Sequence, residues 1–488
     1  MKREELHLFS KFGMELAFEP KRANLFRVSP FIHQVLEHAE GKTVGQLVSR
    51  LADAYGEDFT RENVEKLIKA GLIRPEIEKD AGRTDPPRTE KKDLPGPVEE
   101  TGMGKLILVM TNQCNLRCTY CLANNEKKDE KKDGKKDGNP HGGAHMSPAI
   151  AREAVDFFLQ QMGDKKHAVI SFYGGEPLLN FDCIKETVSY AGEKAGLLGK
   201  TVEYSVSTNG LLLTDSIIDY LVSHRFAIGL SLDGGRRVHD ANRVFPDGSG
   251  SFDRVAGNLK KLIRENADVT IQTVISGAHL NLRQAVEELH ALGVKNFRMN
   301  YCRLQGGEIE WASQFAVFKQ NYDDLIEGIM INGGKGGKDC FSLLPLNFFT
   351  LFQQIEKKEL QQNSCTGGMT QVVVGVNGDF WPCENCLGQA AFALGNLQTG
   401  FDRGIIPRLA EVGIGTSADC RQCWARYLCG GPCPLACYEK NHTFHEPEMT
   451  NCIMKRHFLE TGLAVYAYFK SGSRNFIEKW TTRRMGHD

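Results

Sequence analysis

Cys114, Cys118 and Cys121 stand in the stretch CNLRCTYC, with three residues between the first pair and two between the second. Thiolates are soft ligands suited to zinc, copper(I) and iron–sulfur centres. A tetrahedral zinc site wants four ligands and a disulfide wants two, so three thiols in one tight loop satisfy neither count. With no fourth thiol nearby, the set fits a cubane whose fourth iron is open to an outside ligand. Structural zinc with a distant fourth ligand is the alternative. A second field lies downstream: Cys365, Gly378 and Cys383, then Cys420, Cys423, Cys429 and Cys433 spaced Cys-x2-Cys-x5-Cys-x3-Cys, and finally Cys452. Between the two fields runs YGGEP. There Gly174 and Gly175 allow close approach of backbone to a ligand, and Glu176, before Pro177, offers an acceptor for an ammonium group.

The elements that must position these residues alternate. KLILVMT, HAVISFYG, TVEYSVST, FAIGLSL, DVTIQTVIS and VKNFRMNY are short apolar, β-branched runs. Amphipathic helical stretches begin near Ser147, Phe181, Thr214, Ser251 and Leu280, with another near Trp311. Six strand-then-helix units imply an α/β fold with a parallel sheet, most simply a partial (β/α)6, TIM-like barrel, whose ligands sit beyond the carboxyl ends of the strands. The cysteine triplet directly follows the first strand and YGGEP ends the second, so both fall at that end.

Around the barrel the chain reads as five parts. Residues 1–73 are strands followed by three helices, with Ser29, Thr43 and Thr60 near the helix starts and Gly41 as a stop, a winged-helix pattern. Residues 74–103, rich in proline and charge, form a linker. The barrel occupies 104–335 and carries a charged, flexible insertion at 126–143 of Lys-Lys-Asp repeats. A cysteine-rich domain spans 336–470 and a tail spans 471–488. The chain has 15 cysteines, formal net charge -1, and neither a signal-peptide core nor a membrane-length apolar run. We therefore expect a soluble cytoplasmic protein whose clustered cysteines bind metal, since a reducing compartment disfavours structural disulfides.

Cys-x3-Cys-x2-Cys with Tyr120 before the last cysteine resembles the signature of radical S-adenosylmethionine (SAM) enzymes. The resemblance implies a partial (β/α)6 barrel and a [4Fe-4S] cluster whose open iron chelates the SAM amino and carboxylate groups. It also implies reductive cleavage of SAM to a 5'-deoxyadenosyl radical that abstracts hydrogen. Cys114, Cys118 and Cys121 would be the catalytic cluster ligands, and Gly174–Pro177 resembles the motif that meets the SAM amino group. STNG and SLDG end the third and fourth strands. By resemblance to peptide maturases, Ser231 and Asp233, then Ser207 and Asn209, would contact the SAM ribose or carboxylate, and Arg243 of VHDANR could pair with the carboxylate. Helix capping is the other reading of Ser207.

The second field resembles the SPASM domain, an auxiliary-cluster module of peptide-modifying members. By that resemblance Cys420, Cys423, Cys429 and Cys452 would hold a distal cluster, and Cys365, Cys383 and Cys433 a nearer one, giving three [4Fe-4S] clusters in all. Seven thiolates leave the nearer cluster one short. Cys340, Cys386, Cys437 or a substrate thiolate could complete it, and the extra cysteines could equally be buried hydrophobes. Cys302, ending the sixth strand, is a candidate active-site thiol, with packing as the alternative. Cys183 has no companion and receives no role.

The N-terminal part resembles the RiPP recognition element, which binds the leader of a ribosomally made precursor peptide by strand addition. A DNA-binding winged helix is the competing reading. Its third helix mixes Arg61, Lys66 and Lys69 with Glu62 and Glu65, which gives no evident basic face. Together the resemblances imply a radical SAM peptide maturase installing thioether crosslinks, similar to SCIFF, ranthipeptide and sactipeptide systems. Its partners would be a precursor peptide and an electron donor such as flavodoxin or ferredoxin, with no nucleic acid and no membrane. Alternatives are carbon–carbon crosslinking, epimerisation, formylglycine formation, or a zinc-stabilised peptide- or DNA-binding regulator.

Overall fold

The computed structural model describes residues 2–3, 5–69, 72–74, 102–121, 144–276, 281–301, 308–334, 343–402 and 404–472. The linker between residues 75 and 101, the insertion at 126–143, Cys302, Cys340 and the tail from residue 473 lie outside the described residues. Two compact units emerge: Met1–Leu94 with Phe348–Ser364 and Val412–Asp488, and Pro95–Asn347 with Cys365–Glu411. The cysteine-rich stretch expected as one domain is thus shared between two units.

The first unit opens with an antiparallel sheet of β1 (His7–Lys11), β2 (Met14–Glu19) and β3 (Asn24–Val28), with β2 central. Helices α1 (Pro30–His38), α2 (Val44–Tyr55) and α3 (Glu57–Lys69) follow. Ser29 caps α1 ahead of Pro30, and Thr43 with Gln46 forms a reciprocal capping box on α2. Helix α3 starts three residues before Thr60. Glu57 and Asp58 occupy its first turn, where the helix dipole favours them, and the Thr60 hydroxyl bonds back to Gly56 O at 2.7 Å. Phe31, Val35, Leu47, Leu51, Val64 and Leu67 bury the helices' apolar stripes in one cluster.

In the second unit β4 (Lys105–Thr111), β5 (His167–Gly174), β6 (Thr201–Thr208), β7 (Ala227–Ser231), β8 (Asp268–Ile275) and β9 (Phe297–Tyr301) pair in parallel and in sequence order. The intervening helices are α4 (Pro148–Gln161), α5 (Phe181–Leu197), α6 (Asp215–Ser223), α7 (Arg236–Asn242), α8 (Phe252–Arg264) and α9 (Leu282–Ala291), and α10 (Glu308–Gly334) follows β9. Ser147, Thr214 and Asn281 cap α4, α6 and α9 with their side chains. Helix α7, absent from the sequence reading, is a seven-residue turn of chain carrying VHDAN.

Six strands were expected and the sheet has eight. β10 (Gln371–Val374) adds in parallel to the free side of β4, and β11 (Phe380–Trp381) adds antiparallel to β10. The reason is physical: β4 has one unpaired backbone edge, and QVVV is an apolar β-branched run that satisfies it. On one face of the sheet Phe172, Tyr204 and the neighbouring Phe226 stack, and Tyr204 Oη donates to Val188 O of α5 at 3.0 Å. The other face differs along its width. Ile107, Val109 and Val373 are buried there on β4 and β10, whereas Ser207, Arg298 and Asn300 are exposed on β6 and β9.

The first unit resumes with α11 (Asn347–Lys357), then α12 (Ala418–Gln422), α13 (Arg426–Cys429), α14 (Pro434–Asn441) and the long α15 (Met449–Gly472). Phe348 stacks on Phe458 with centroids 4.9 Å apart, and Tyr466 Oη donates to Glu356 Oε1 at 2.8 Å. The N-terminal sheet is part of this body. The His7 ring lies 3.8 Å from that of Trp424, parallel to within 1°, and its Nε2 meets Glu460 Oε1 at 2.8 Å. Glu5 pairs with Arg426. Among the described residues no helix is long and apolar enough to cross a membrane.

Candidate functional site

The loop bearing Cys114, Cys118 and Cys121 contributes only Leu116, 2 % exposed, to the core, so hydrogen bonds must hold it. One strap comes from the end of β5. Gly175 N donates to Thr111 O and Glu176 N to Gln113 O, both at 2.8 Å. The glycine pair is required here, because a Cβ on Gly174 would run into Thr111 O and one on Gly175 into Gln113 O. The expectation that these glycines make room for a ligand is therefore completed by a nearer partner, the cysteine loop's own backbone. The second strap comes from the end of α7: Arg117 N donates to Val244 O at 2.8 Å, Thr119 N to Asn242 O at 2.9 Å, and Thr119 Oγ1 to Asn242 Oδ1 at 2.9 Å.

Glu176 is fully buried, and three of the chain's own donors reach its carboxylate: Thr208 Oγ1 at 2.7 Å, Asn209 N at 2.8 Å and Leu178 N at 3.2 Å. Burial pushes its pKa up to about 7 against the pull of those bonds. A carboxylate has about four lone-pair sites, so beyond these three donors one acceptor site remains for the ammonium expected there. The same group joins the ends of β5 and β6. Asn209, on that same turn, donates from Nδ2 to Asn115 Oδ1 at 2.7 Å and approaches Cys114 Sγ at 3.7 Å. Leu116 N also points at Cys114 Sγ, 3.4 Å away.

Asp233 and Arg243, expected to face a ligand separately, face each other. Arg243 donates from Nε to Asp233 Oδ2 at 3.0 Å and from Nη2 to Oδ1 at 3.1 Å. Both side chains are buried, and Val274 N and Tyr120 Oη donate to the same carboxylate. The guanidinium also lies 5.4 Å from the Tyr120 ring centroid. Burial works to lower the Arg243 pKa, and Asp233 with its neighbours more than reverses this, so the group stays charged. Tyr120 thus fastens the cysteine loop to β7 and α7. Cys118, held up to about 11 as a free thiol by burial, is opposed by the same Arg243 charge.

His239, Asn242 and Ser251 were missed by sequence reasoning. Asp233 N lies 3.5 Å from His239 Nδ1, His239 Nε2 meets Ser251 Oγ at 2.9 Å, and the Ser251 hydroxyl donates to Arg243 O at 2.7 Å. Only the tautomer with hydrogen on Nε2 satisfies every link. Burial, then the Arg243 charge, lower the His239 pKa to about 4, so the ring is neutral around pH 7. The signal lay in VHDANR: His239, Asn242 and Arg243 fall at i, i+3 and i+4, one face of a helical turn. Ser231 is half-buried at the end of β7, Ser207 is exposed on β6, and Pro177 opens a short helical turn after Glu176.

The second cysteine field divides. In the first unit Cys420, Cys423, Cys429 and Cys452, brought from α12, its end, α13 and α15, line one cavity together with Lys455 and Arg456. Burial raises Cys420 and Cys429 above the ordinary thiol range and Cys452 to about 12. Such thiols bind as thiolates only when a metal displaces the proton. Cys433 precedes α14 and is exposed, and Cys437 on α14 is fully buried. In the second unit Cys365 is half-buried, and Cys383 Sγ lies 3.5 Å from that of the buried Cys386. Two thiolates on one tetrahedral metal with bonds of about 2.3 Å sit about 3.8 Å apart. Among the described residues no three His, Cys, Asp or Glu side chains surround a single-ion position. Cys183 is buried.

The donor sets fit iron–sulfur ligation: three thiols with N–H groups aimed at one sulfur, and four thiols around one cavity. Residues 108–292 match the radical SAM superfamily, and they form a radical SAM domain. An uncharacterized protein of Methanocaldococcus jannaschii, MJ0907, is 32% identical over 196 residues, 40% of this chain and 61% of that protein. A cysteine-type anaerobic sulfatase-maturating enzyme of Clostridium novyi is 28% identical over 179 residues, 36% of this chain and 44% of that enzyme. Both matches span less than two thirds of the relative. The solved structure of native anSMEcpe with bound AdoMet shares the fold, with TM-score 0.61 and 19% identity over 76% of this chain and 100% of that one.

Proposed function

We propose that this chain, built around the radical SAM domain at residues 108–292, is a peptide maturase that installs thioether crosslinks between a cysteine sulfur and a carbon of a ribosomally made precursor. The observation that carries the reading is the three-thiol loop strapped from both sides at the carboxyl end of β4. Cys114, Cys118 and Cys121 would hold a [4Fe-4S] cluster, Cys420, Cys423, Cys429 and Cys452 a second, and Cys365 and Cys383 belong to a third. When bound, the first cluster and SAM supply a 5'-deoxyadenosyl radical able to take a hydrogen atom.

The chain's own residues hold that chemistry in place. Tyr120, Asp233 and Arg243 fix the loop, Asn209 and Leu116 N direct N–H groups at Cys114, and Ser207 and Ser231 offer hydroxyls at the mouth. Joining sulfur to carbon removes two hydrogens from the peptide, one as an atom and one as a proton. The one electron left over needs an acceptor of the iron–sulfur class, which the four-thiol cavity suits. A flavodoxin or ferredoxin would deliver the initiating electron.

The N-terminal sheet supports a leader-binding role. β3 is an edge strand with Phe26 42% exposed, suited to pairing with an extended peptide. The cations Arg61 and Lys66 of α3 are paired to Glu57 and Glu62 one turn back, which leaves no basic reading face. A second reading is favoured by the Clostridium novyi relative: conversion of a cysteine to formylglycine. Anaerobic reconstitution with iron and sulfide tests the proposal. The brown protein should carry about twelve irons, form 5'-deoxyadenosine, and remove two hydrogens per crosslink from a cysteine-containing precursor peptide, sought as a short reading frame beside its gene. Loss of sulfur from the peptide would mark the second reading, an unchanged mass epimerisation, and a colourless zinc protein that leaves SAM intact would end both.

A further inference from the structure

The face of the barrel sheet turned away from the stacked Phe172, Tyr204 and Phe226 is not a core over its whole width. In a closed parallel barrel that face is filled by branched apolar side chains. Here that holds on β4 and β10, where Ile107, Val109 and Val373 are buried. From β6 to β9 the same face carries Ser207, Ser231, Thr270, Gln272, Arg298 and Asn300, and each is half-buried or exposed. Ser231, Gln272 and Arg298 are successive partners across β7, β8 and β9 and form one row. Asn300 Nδ2 donates to Gln272 Oε1 at 3.1 Å, which places both side chains on this face and fixes the glutamine.

Arg298 stands out in that row. It is exposed and, among the described residues, has no ion-pair or hydrogen-bond partner. Asp268 on β8 shares the face but lies four residues closer to the strand's amino end than Gln272, about 13 Å down the strand. Asp233 is already engaged by Arg243, Tyr120 and Val274 N. The wall therefore presents one uncompensated cation among neutral hydrogen-bonding groups, at the level where β7 ends. SAM brings a single anionic group, its carboxylate, which in the radical SAM reading is chelated by the open iron. Its sulfonium is cationic and its ribose and adenine are neutral. An anion received by Arg298 would then be one brought by the other substrate.

We propose that Arg298, flanked by Gln272 and Asn300, receives the carboxylate of an aspartate or glutamate side chain of the peptide substrate, so that the segment entering the barrel is acidic. This rests on the radical SAM reading and names a specificity determinant within it. A guanidinium binds a carboxylate through two parallel N–H donors, while the neutral amides accept and donate to the peptide backbone.

The test uses the reconstituted full-length protein and two capped probe peptides, Gly-Ala-Asp-Ala-Gly and Gly-Ala-Asn-Ala-Gly, with binding read by ligand-detected NMR. The aspartate peptide should bind wild type about tenfold more tightly than its asparagine twin. The ratio should fall to about one in Arg298→Gln and largely return in Arg298→Lys. An equal affinity for the two peptides in wild type, no detectable binding of either, or a preference that survives Arg298→Gln would overturn the proposal. Formation of 5'-deoxyadenosine by the same wild-type sample separates the two failures. With cleavage present and no charge preference only the role of Arg298 falls, whereas absence of cleavage takes down the radical SAM reading itself.

Discussion

The two best-formed cysteine sites of this chain are built in opposite ways. The 114–121 loop takes three thiols from one short stretch and has almost no core of its own, so straps from the ends of β5 and α7 hold it. The cavity of Cys420, Cys423, Cys429 and Cys452 draws four thiols from three helices, two from α12 and its end and one each from α13 and α15. A local triplet depends on external bracing, while three converging helices gather four thiols around one cavity. In the proposed reading, the difference lets one ligand chemistry serve two purposes: a site for reaction and a site for electrons.

The largest effect expected sets these sites against each other. Cys118→Ala should remove about four of about twelve irons and lower SAM cleavage by more than a thousandfold. Cys452→Ala should remove a similar amount of iron yet lower cleavage by about tenfold, with crosslinked peptide lost far more severely. Iron analysis and 5'-deoxyadenosine measured on the same samples would break the comparison if the two variants lost cleavage equally.

Next in size is the bracing of the triplet. Asp233→Asn leaves the buried Arg243 without its counter-charge, and breaking such a pair costs about 3–5 kcal/mol. Thermal unfolding should fall by about 10 °C, with cluster loss from the triplet preceding loss from the four-thiol site. His239 gives a pH signature. Its folded value, about 4, lies below the ordinary 6.5, so the unfolded chain binds the proton more readily. Its share of the stability is complete above pH 6.5 and is lost as pH falls toward 4, about 3 kcal/mol at most. Denaturant titrations across that window should show a shallower decline in His239→Gln than in wild type.

Much of this design was legible before any coordinates. Six β-branched runs with caps such as Ser147 and Thr214 read correctly as strand–helix units, because periodicity and capping are local signals. The cysteine triplet was legible as a cluster for the same reason, its three thiols lying within eight residues. What stayed hidden depended on pairing across long sequence distances. Nothing in QVVV announces that it completes the edge of a strand more than 260 residues earlier. Likewise the Asp233 and Arg243 side chains carried their chemistry openly, yet only tertiary placement shows that they neutralise each other and grip Tyr120. Hydrogen bonds of that kind leave no period in a sequence. His239 was the exception, recoverable from helical spacing within VHDANR.

The smallest effect probes the triplet's electronic tuning. Asn209 Nδ2 stands 3.7 Å from Cys114 Sγ, a long but directed approach fixed by the bond from the same nitrogen to Asn115 Oδ1 at 2.7 Å. An N–H dipole facing a thiolate favours the more negative, reduced state of the cluster it ligates, and so raises the reduction potential. A hydrogen bond worth about 1 kcal/mol corresponds to roughly 40 mV for one electron. Asn209→Ala should therefore lower the midpoint potential of the triplet's cluster by a few tens of millivolts in a redox titration followed by EPR. The potential of the four-thiol site should stay where it is, since Asn209 belongs to the other unit. A shift of both potentials together would mean that the substitution loosened the fold, and an unmoved triplet potential would leave Asn209 as a strut for Asn115 alone.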